Sequence, residues 1–138
     1  MKNLTTIEAV DITTGYLNKQ VIEKMSIKIP EGKVTSLIGP NGSGKSTLLK
    51  SFTRLLPVKE GKIIVDGSEI STYSPKMLAQ KIALLAQSSE HPLGMTVEEV
   101  VSYGRYPYQK GLGKLSKEEI TSIPFSYFIE LIFIFLVI

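Results

Sequence analysis

Residues 39–47 read Gly39-Pro40-Asn41-Gly42-Ser43-Gly44-Lys45-Ser46-Thr47, a full match to the phosphate-binding pattern G-x-x-x-x-G-K-[ST]. Glycine lets backbone N–H groups turn toward a phosphate chain with no side chain in the way. Lys45 supplies a mobile positive charge for the β- and γ-phosphates, and the Ser46 hydroxyl suits a Mg²⁺ ligand. A chance match of four specified positions occurs in on the order of 1% of chains this long. The flanks argue further against chance. Lys33-Val34-Thr35-Ser36-Leu37-Ile38 predicts a short buried strand, and Ser46-Thr47-Leu48-Leu49-Lys50-Ser51-Phe52 predicts a helix. The loop then joins strand to helix, with the helix N-terminus aimed at the anion.

Outward from the loop, the chain alternates strands and helices. Residues 5–14 and 20–29 are rich in Thr, Val and Ile, with Gly15-Tyr16-Leu17-Asn18 between them, and predict two early strands. Leu56-Pro57 is the expected stop of the loop's helix. Gly61-Lys62-Ile63-Ile64-Val65 predicts a strand closed by an Asp66-Gly67 turn. Ser74-Pro75 predicts a helix start, serine as cap and proline in the first turn. Ile82-Ala83-Leu84-Leu85-Ala86 predicts another short buried strand. Thr96-Val97-Glu98-Glu99 predicts a further helix stopping at Gly104, and Ser116-Lys117-Glu118-Glu119 opens one more.

The 138 residues suit one domain. A net charge of +3 with scattered basic residues leaves no footprint for nucleic acid. With no cysteine, disulfide frameworks and thiolate metal sites are excluded. The N-terminus shows no apolar secretory core. His91 is the single histidine and is assigned to a loop.

Taken together, these stretches resemble the ATP-binding subunit of an ABC transporter, over about residues 5–122. The carriers are Gly15-Tyr16, the run from Ile29-Pro30-Glu31-Gly32-Lys33-Val34 through Leu49, then Val65-Asp66-Gly67 and Ile82-Ala83-Leu84-Leu85-Ala86-Gln87. Gly104-Arg105-Tyr106-Pro107-Tyr108-Gln109 narrows the likeness to importers of iron(III)-siderophores, with haem and cobalamin importers as close relatives. The implied fold is α/β: the N-terminal half of an ABC-type P-loop ATPase domain, with a β-rich subdomain and an incomplete central sheet.

The resemblance implies ATP and Mg²⁺ as cofactors. Tyr16 stacks on adenine, residues 39–47 cradle the phosphates, and Ser46 and Gln87 serve Mg²⁺. It implies membrane permease subunits and a second ATP-binding subunit as partners. The implied location is the cytoplasmic face of the cell membrane. Arg105 and Tyr106 fit either a solvated turn or a surface that docks the transporter.

The sequence departs from the family after about residue 122. It carries no Leu-Ser-Gly-Gly-Gln signature, no strand ending in Asp-Glu and no downstream switch histidine. Asp66 closes an apolar run but is followed by Gly67, so it belongs to the turn after the loop. No catalytic base is identified, and ATP binding without turnover by this chain alone is expected. The two central strands that separate the loop strand from the Gln87 strand are also missing from the pattern, which predicts a bare sheet edge. A binding-only or transporter-docking fragment, or another P-loop enzyme, are the competing readings. A GTPase is disfavoured, because Asn18-Lys19-Gln20-Val21 stops short of a guanine-reading motif. Residues 123–138 form an apolar tail broken by Pro124 and Glu130. As a helix they would reach only about 24 Å against a membrane core of roughly 30 Å. An anchor, a buried helix and a misjoined end all remain open for it, the last being favoured.

Overall fold

The computed structural model describes residues 6–84, 96 and 103–108. Its frame is an antiparallel sheet of four strands: β1 (Ile7–Tyr16), β2 (Lys19–Ile29), β3 (Val58–Val65) and β4 (Ser68–Glu69). They lie in the order β2-β1-β3-β4. Helix α1 (Lys45–Phe52) packs on this sheet, and a short α2 (Pro75–Ala79) follows a 3₁₀ turn at Ile70–Thr72.

β1 and β2 form a hairpin closed by Leu17 and Asn18, with Tyr16 paired to Lys19. Its ladder is broken by bulges on both sides of Ile12, where Asp11 and Lys24 adopt positive φ. A bulge strands backbone groups, and side chains recover them here. Ser26 Oγ accepts from the Asp11 amide at 2.8 Å and donates to Asp11 Oδ1 at 2.9 Å. Thr13 Oγ1 accepts from the Lys24 amide, and Thr14 Oγ1 donates to the Pro57 carbonyl at 2.8 Å. Opposite the bulge runs Gly61 at φ +78°. A Cβ there would lie 2.3 Å from the Asp11 carbonyl oxygen, so only glycine fits.

The core sits between α1 and the sheet. Leu48, Leu49 and Phe52 form one helix face and meet Ile7, Ala9, Ile12, Ile63 and Val65 from the strands. Phe52 is fully buried; truncating such a ring to alanine costs about 3–5 kcal/mol. α2 adds Leu78, and its start is as expected: the Ser74 hydroxyl accepts from the Met77 amide, with Pro75 in the first turn.

Three expectations are corrected. Residues 33–38 join no ladder, and Ile38 is 88% exposed. A strand needs a neighbour, and none of the four described strands pairs with this run. Residues 82–84 are likewise unpaired, and Ala83 is exposed. The loop's helix stops at Phe52, well before Leu56-Pro57, because Arg54 turns left-handed at φ +59°. Gly104 lies within a 3₁₀ turn spanning Tyr103–Tyr108, and the helix it was expected to close lies outside the described residues. That turn is fixed to the end of α2, with Gln80 Nε2 donating to the Pro107 carbonyl and the Tyr108 hydroxyl donating to the Gln80 carbonyl. The residues after Thr96 assigned to a helix, the helix at 116, His91 and the tail lie outside the described residues.

Candidate functional site

The phosphate loop leads straight into α1. Pro40 and Ser43 close a tight turn, the Ser43 amide donating to the Pro40 carbonyl at 3.2 Å. Gly42 and Gly44 both carry positive φ, at 82° and 96°. Gly44 is also where the loop leans on the hairpin. A Cβ there would come within 3.3 Å of Val21 and 3.4 Å of Ile22.

The first helical bond runs from the Leu48 amide to the Gly44 carbonyl at 2.9 Å. The amides of Lys45, Ser46 and Thr47 are therefore the orphan donors of this helix end. No side chain among the described residues caps them, and no acidic residue stands in the first turn. Lys45 points back over the loop and donates to the carbonyls of Gly39 and Pro40, at 2.7 and 2.9 Å. It meets no carboxylate among the described residues. An uncapped helix end beside an uncompensated ammonium is a site for an anion, which fits a phosphate chain.

The other loop residues divide by burial. Asn41, Ser43 and Ser46 are exposed, whereas Thr47 is buried as the helix enters the core. Exposure leaves the Ser46 hydroxyl open to a metal ion. No group of three or more His, Cys, Asp or Glu able to hold a metal occurs among the described residues. Among the described residues, Ser46 is thus the candidate protein ligand for a hard cation such as Mg²⁺, which would take its other oxygens largely from phosphate and water.

Tyr16 ends β1 on the rim of the hairpin, 43% exposed. It is joined to α1 by Lys50, whose Nζ donates to the Tyr16 hydroxyl at 3.3 Å and lies 5.6 Å from the ring centroid. Sequence reasoning missed Lys50. Its only signal was a basic residue in the last helical turn, and nothing in the sequence places that turn beside Tyr16. Gln87 lies outside the described residues.

Asp66 stands in the β3–β4 turn, as expected, and is engaged in holding the fold. Its carboxylate accepts from the Thr6 amide at 2.9 Å and from Lys81 Nζ. The ion pair was not foreseen. Hydrogen bonding and charge from Asp66 raise the Lys81 ammonium above its usual value, against an opposing effect of burial. In the 103–108 turn, Tyr106 is exposed and the Arg105 guanidinium lies 5.7 Å from the centre of the Tyr108 ring.

Residues 22–127 match the family model described as ABC transporter. The chain belongs to the ABC transporter family. Among curated relatives, the iron(3+)-hydroxamate import ATP-binding protein FhuC of Bacillus subtilis is 41% identical over 116 residues, which cover 84% of this chain and 43% of that protein. The achromobactin transport ATP-binding protein CbrD of Dickeya dadantii is 44% identical over the same share of each. Thus the chain spans under half the length of these relatives. A solved structure titled as the ATP binding subunit of an ABC transporter superposes with a TM-score of 0.66 at 27% identity, over 78% of this chain and 44% of that one. The fold is accordingly that of an ABC ATPase domain, represented here by its phosphate loop and β-rich part.

Proposed function

We propose that this chain is part of an ATP-binding subunit that powers import of an iron(III)-siderophore-type ligand. The observation that carries the reading is the start of α1, which no described side chain caps, with Lys45 held among the described residues by the loop carbonyls of Gly39 and Pro40. The relatives named for iron(3+)-hydroxamate import and achromobactin transport support the ligand class.

In this reading, Lys45 exchanges the Gly39 and Pro40 carbonyls for phosphate oxygens, and the free amides of α1 complete the cradle. Ser46 takes a place on Mg²⁺, which screens the phosphate charge when bound. Tyr16 offers its ring face to adenine, and Gln87 serves the metal and the attacking water. Phosphoryl transfer needs an oriented water and charge stabilisation around the γ-phosphate. Lys45 supplies charge, but no described carboxylate faces it to orient water. Residues 1–122 form the ABC-type portion and 123–138 a separate apolar segment. The partners are membrane permease subunits and a second ATP-binding subunit, which places the chain at the inner face of the cell membrane.

Calorimetric titration with Mg·ATP tests this reading. Binding by the wild-type chain and its loss in Lys45→Ala are expected; equal affinity in both refutes it.

A further inference from the structure

We propose that Lys50 is a positioning residue for the nucleotide base, acting through Tyr16. The inference rests on the reading of Tyr16 as the surface on which the base stacks.

Tyr16 stands at the strand end where the chain turns, with much of its ring in solvent. An aromatic side chain so placed exchanges rotamers unless something restrains it. Lys50 is the restraint. Its ammonium is 3.3 Å from the hydroxyl but 5.6 Å from the ring centroid, so it sits at the hydroxyl rim and leaves the ring face uncovered. A lysine lying over that face would compete with a base; a lysine at the rim does not.

The position of Lys50 on α1 adds a second consequence. Lys45 opens this helix and Lys50 stands five residues on, a rise of about 7.5 Å. One rigid element thus carries the cation of the phosphate site and the tether of the aromatic. The spacing between phosphate and base subsites is set by that helix, not by the mobility of the hairpin rim. An ammonium in the last turn is also favoured by the helix dipole.

At 3.3 Å the bond is long, so the tether is soft. Restraining one side chain of this kind changes affinity roughly two- to tenfold. The effect must appear for ligands with a base and vanish for those without one.

The experiment is calorimetric titration of wild type, Lys50→Met, Lys50→Arg, Tyr16→Ala and Lys45→Ala with Mg·ATP and with inorganic tripolyphosphate plus Mg²⁺. Methionine keeps the stem and the helix but removes the donor and the charge. Lys50→Met is expected to weaken ATP two- to tenfold while leaving tripolyphosphate unchanged, with Lys50→Arg restoring ATP affinity. In a Tyr16→Ala background, Lys50→Met should have no further effect. Equal losses for both ligands would show that Lys50 merely attracts phosphate charge, and an unchanged ATP affinity would show that the tether is idle; either overturns the inference. Failure of the underlying site reads differently. Unchanged binding of both ligands in Lys45→Ala, or unchanged ATP binding in Tyr16→Ala, refutes the nucleotide site itself and this inference with it.

Discussion

The ammonium of Lys45 folds back across its own loop and donates to the carbonyl of Gly39 at 2.7 Å. Two neutral acceptors, Gly39 and Pro40, thus hold a full positive charge that meets no counter-charge among the described residues. Phosphate oxygens are stronger acceptors for an ammonium than carbonyls. An incoming phosphate chain is therefore expected to win the exchange.

Lys45→Ala removes that exchange and leaves only backbone donors. Mg·ATP binding is expected to weaken at least tenfold, with the thermal stability of the chain changed little. Isothermal calorimetry with a parallel thermal melt separates a lost ligand contact from a lost fold.

Gly61→Ala attacks the fold at the bulge. The new Cβ would sit 2.3 Å from the Asp11 carbonyl oxygen, at a φ of +78° that side chains rarely adopt. Clash and backbone strain together are expected to cost about 2–4 kcal/mol. A urea midpoint within error of wild type would show that the β1–β3 crossing opens more freely than its geometry indicates.

Lys81→Met tests the ion pair with Asp66. Because Asp66 holds the Lys81 ammonium above the ordinary 10.5 in the folded chain, the pair's contribution is fully present below about pH 10.5. It fades as pH rises through the folded value. Both side chains are partly solvated, so the loss at pH 7 is expected to be at most about 1 kcal/mol. Denaturation at pH 7 and pH 11 should show the gap between wild type and variant closing; a widening gap contradicts the assignment.

Turnover is the fourth test. The 138-residue chain is expected to release phosphate from ATP no faster than its Lys45→Ala variant, since no carboxylate among the described residues stands beside Lys45 to orient water. A phosphate-release assay giving turnover that disappears in Lys45→Ala would require a base elsewhere in the chain.

Hydrogen exchange addresses the unpaired segment before the loop. Amides of residues 34–38 join no ladder and are expected to exchange with little protection. Those of Ile12 and Ile63, buried in paired strands, should exchange many-fold more slowly. Equal protection would place a pairing partner against residues 34–38.

Local signals in the sequence carried most of the fold. The hairpin, α1, β3 with its Asp66-Gly67 turn and the capped start of α2 each follow from a few neighbouring residues, and the structure places them within a few positions of expectation. The run at 33–38 was misread as a buried strand because its apolar pattern reports which residues prefer burial. It does not report whether a neighbour is present to pair with. The bulges at Asp11 and Lys24 were invisible for a related reason: they arise from the crossing of three strands. In the site, residues 39–47 were legible because a phosphate loop is contiguous. The Tyr16–Lys50 contact was not, since it joins residues 34 positions apart on different elements.

The contact of Gly44 with Val21 and Ile22 makes the far hairpin a gauge for the phosphate loop. Leu17 and Asn18 form an exposed tip, the kind of place where proteins ordinarily accept extra residues. Here one inserted residue that slipped β2 by one step would flip Val21 and Ile22 each to the other face of the sheet. The loop would then lose the surface on which Gly44 rests, some distance from the altered tip. Tolerance to insertion at this turn is therefore set by the packing under the phosphate loop as well as by solvent exposure.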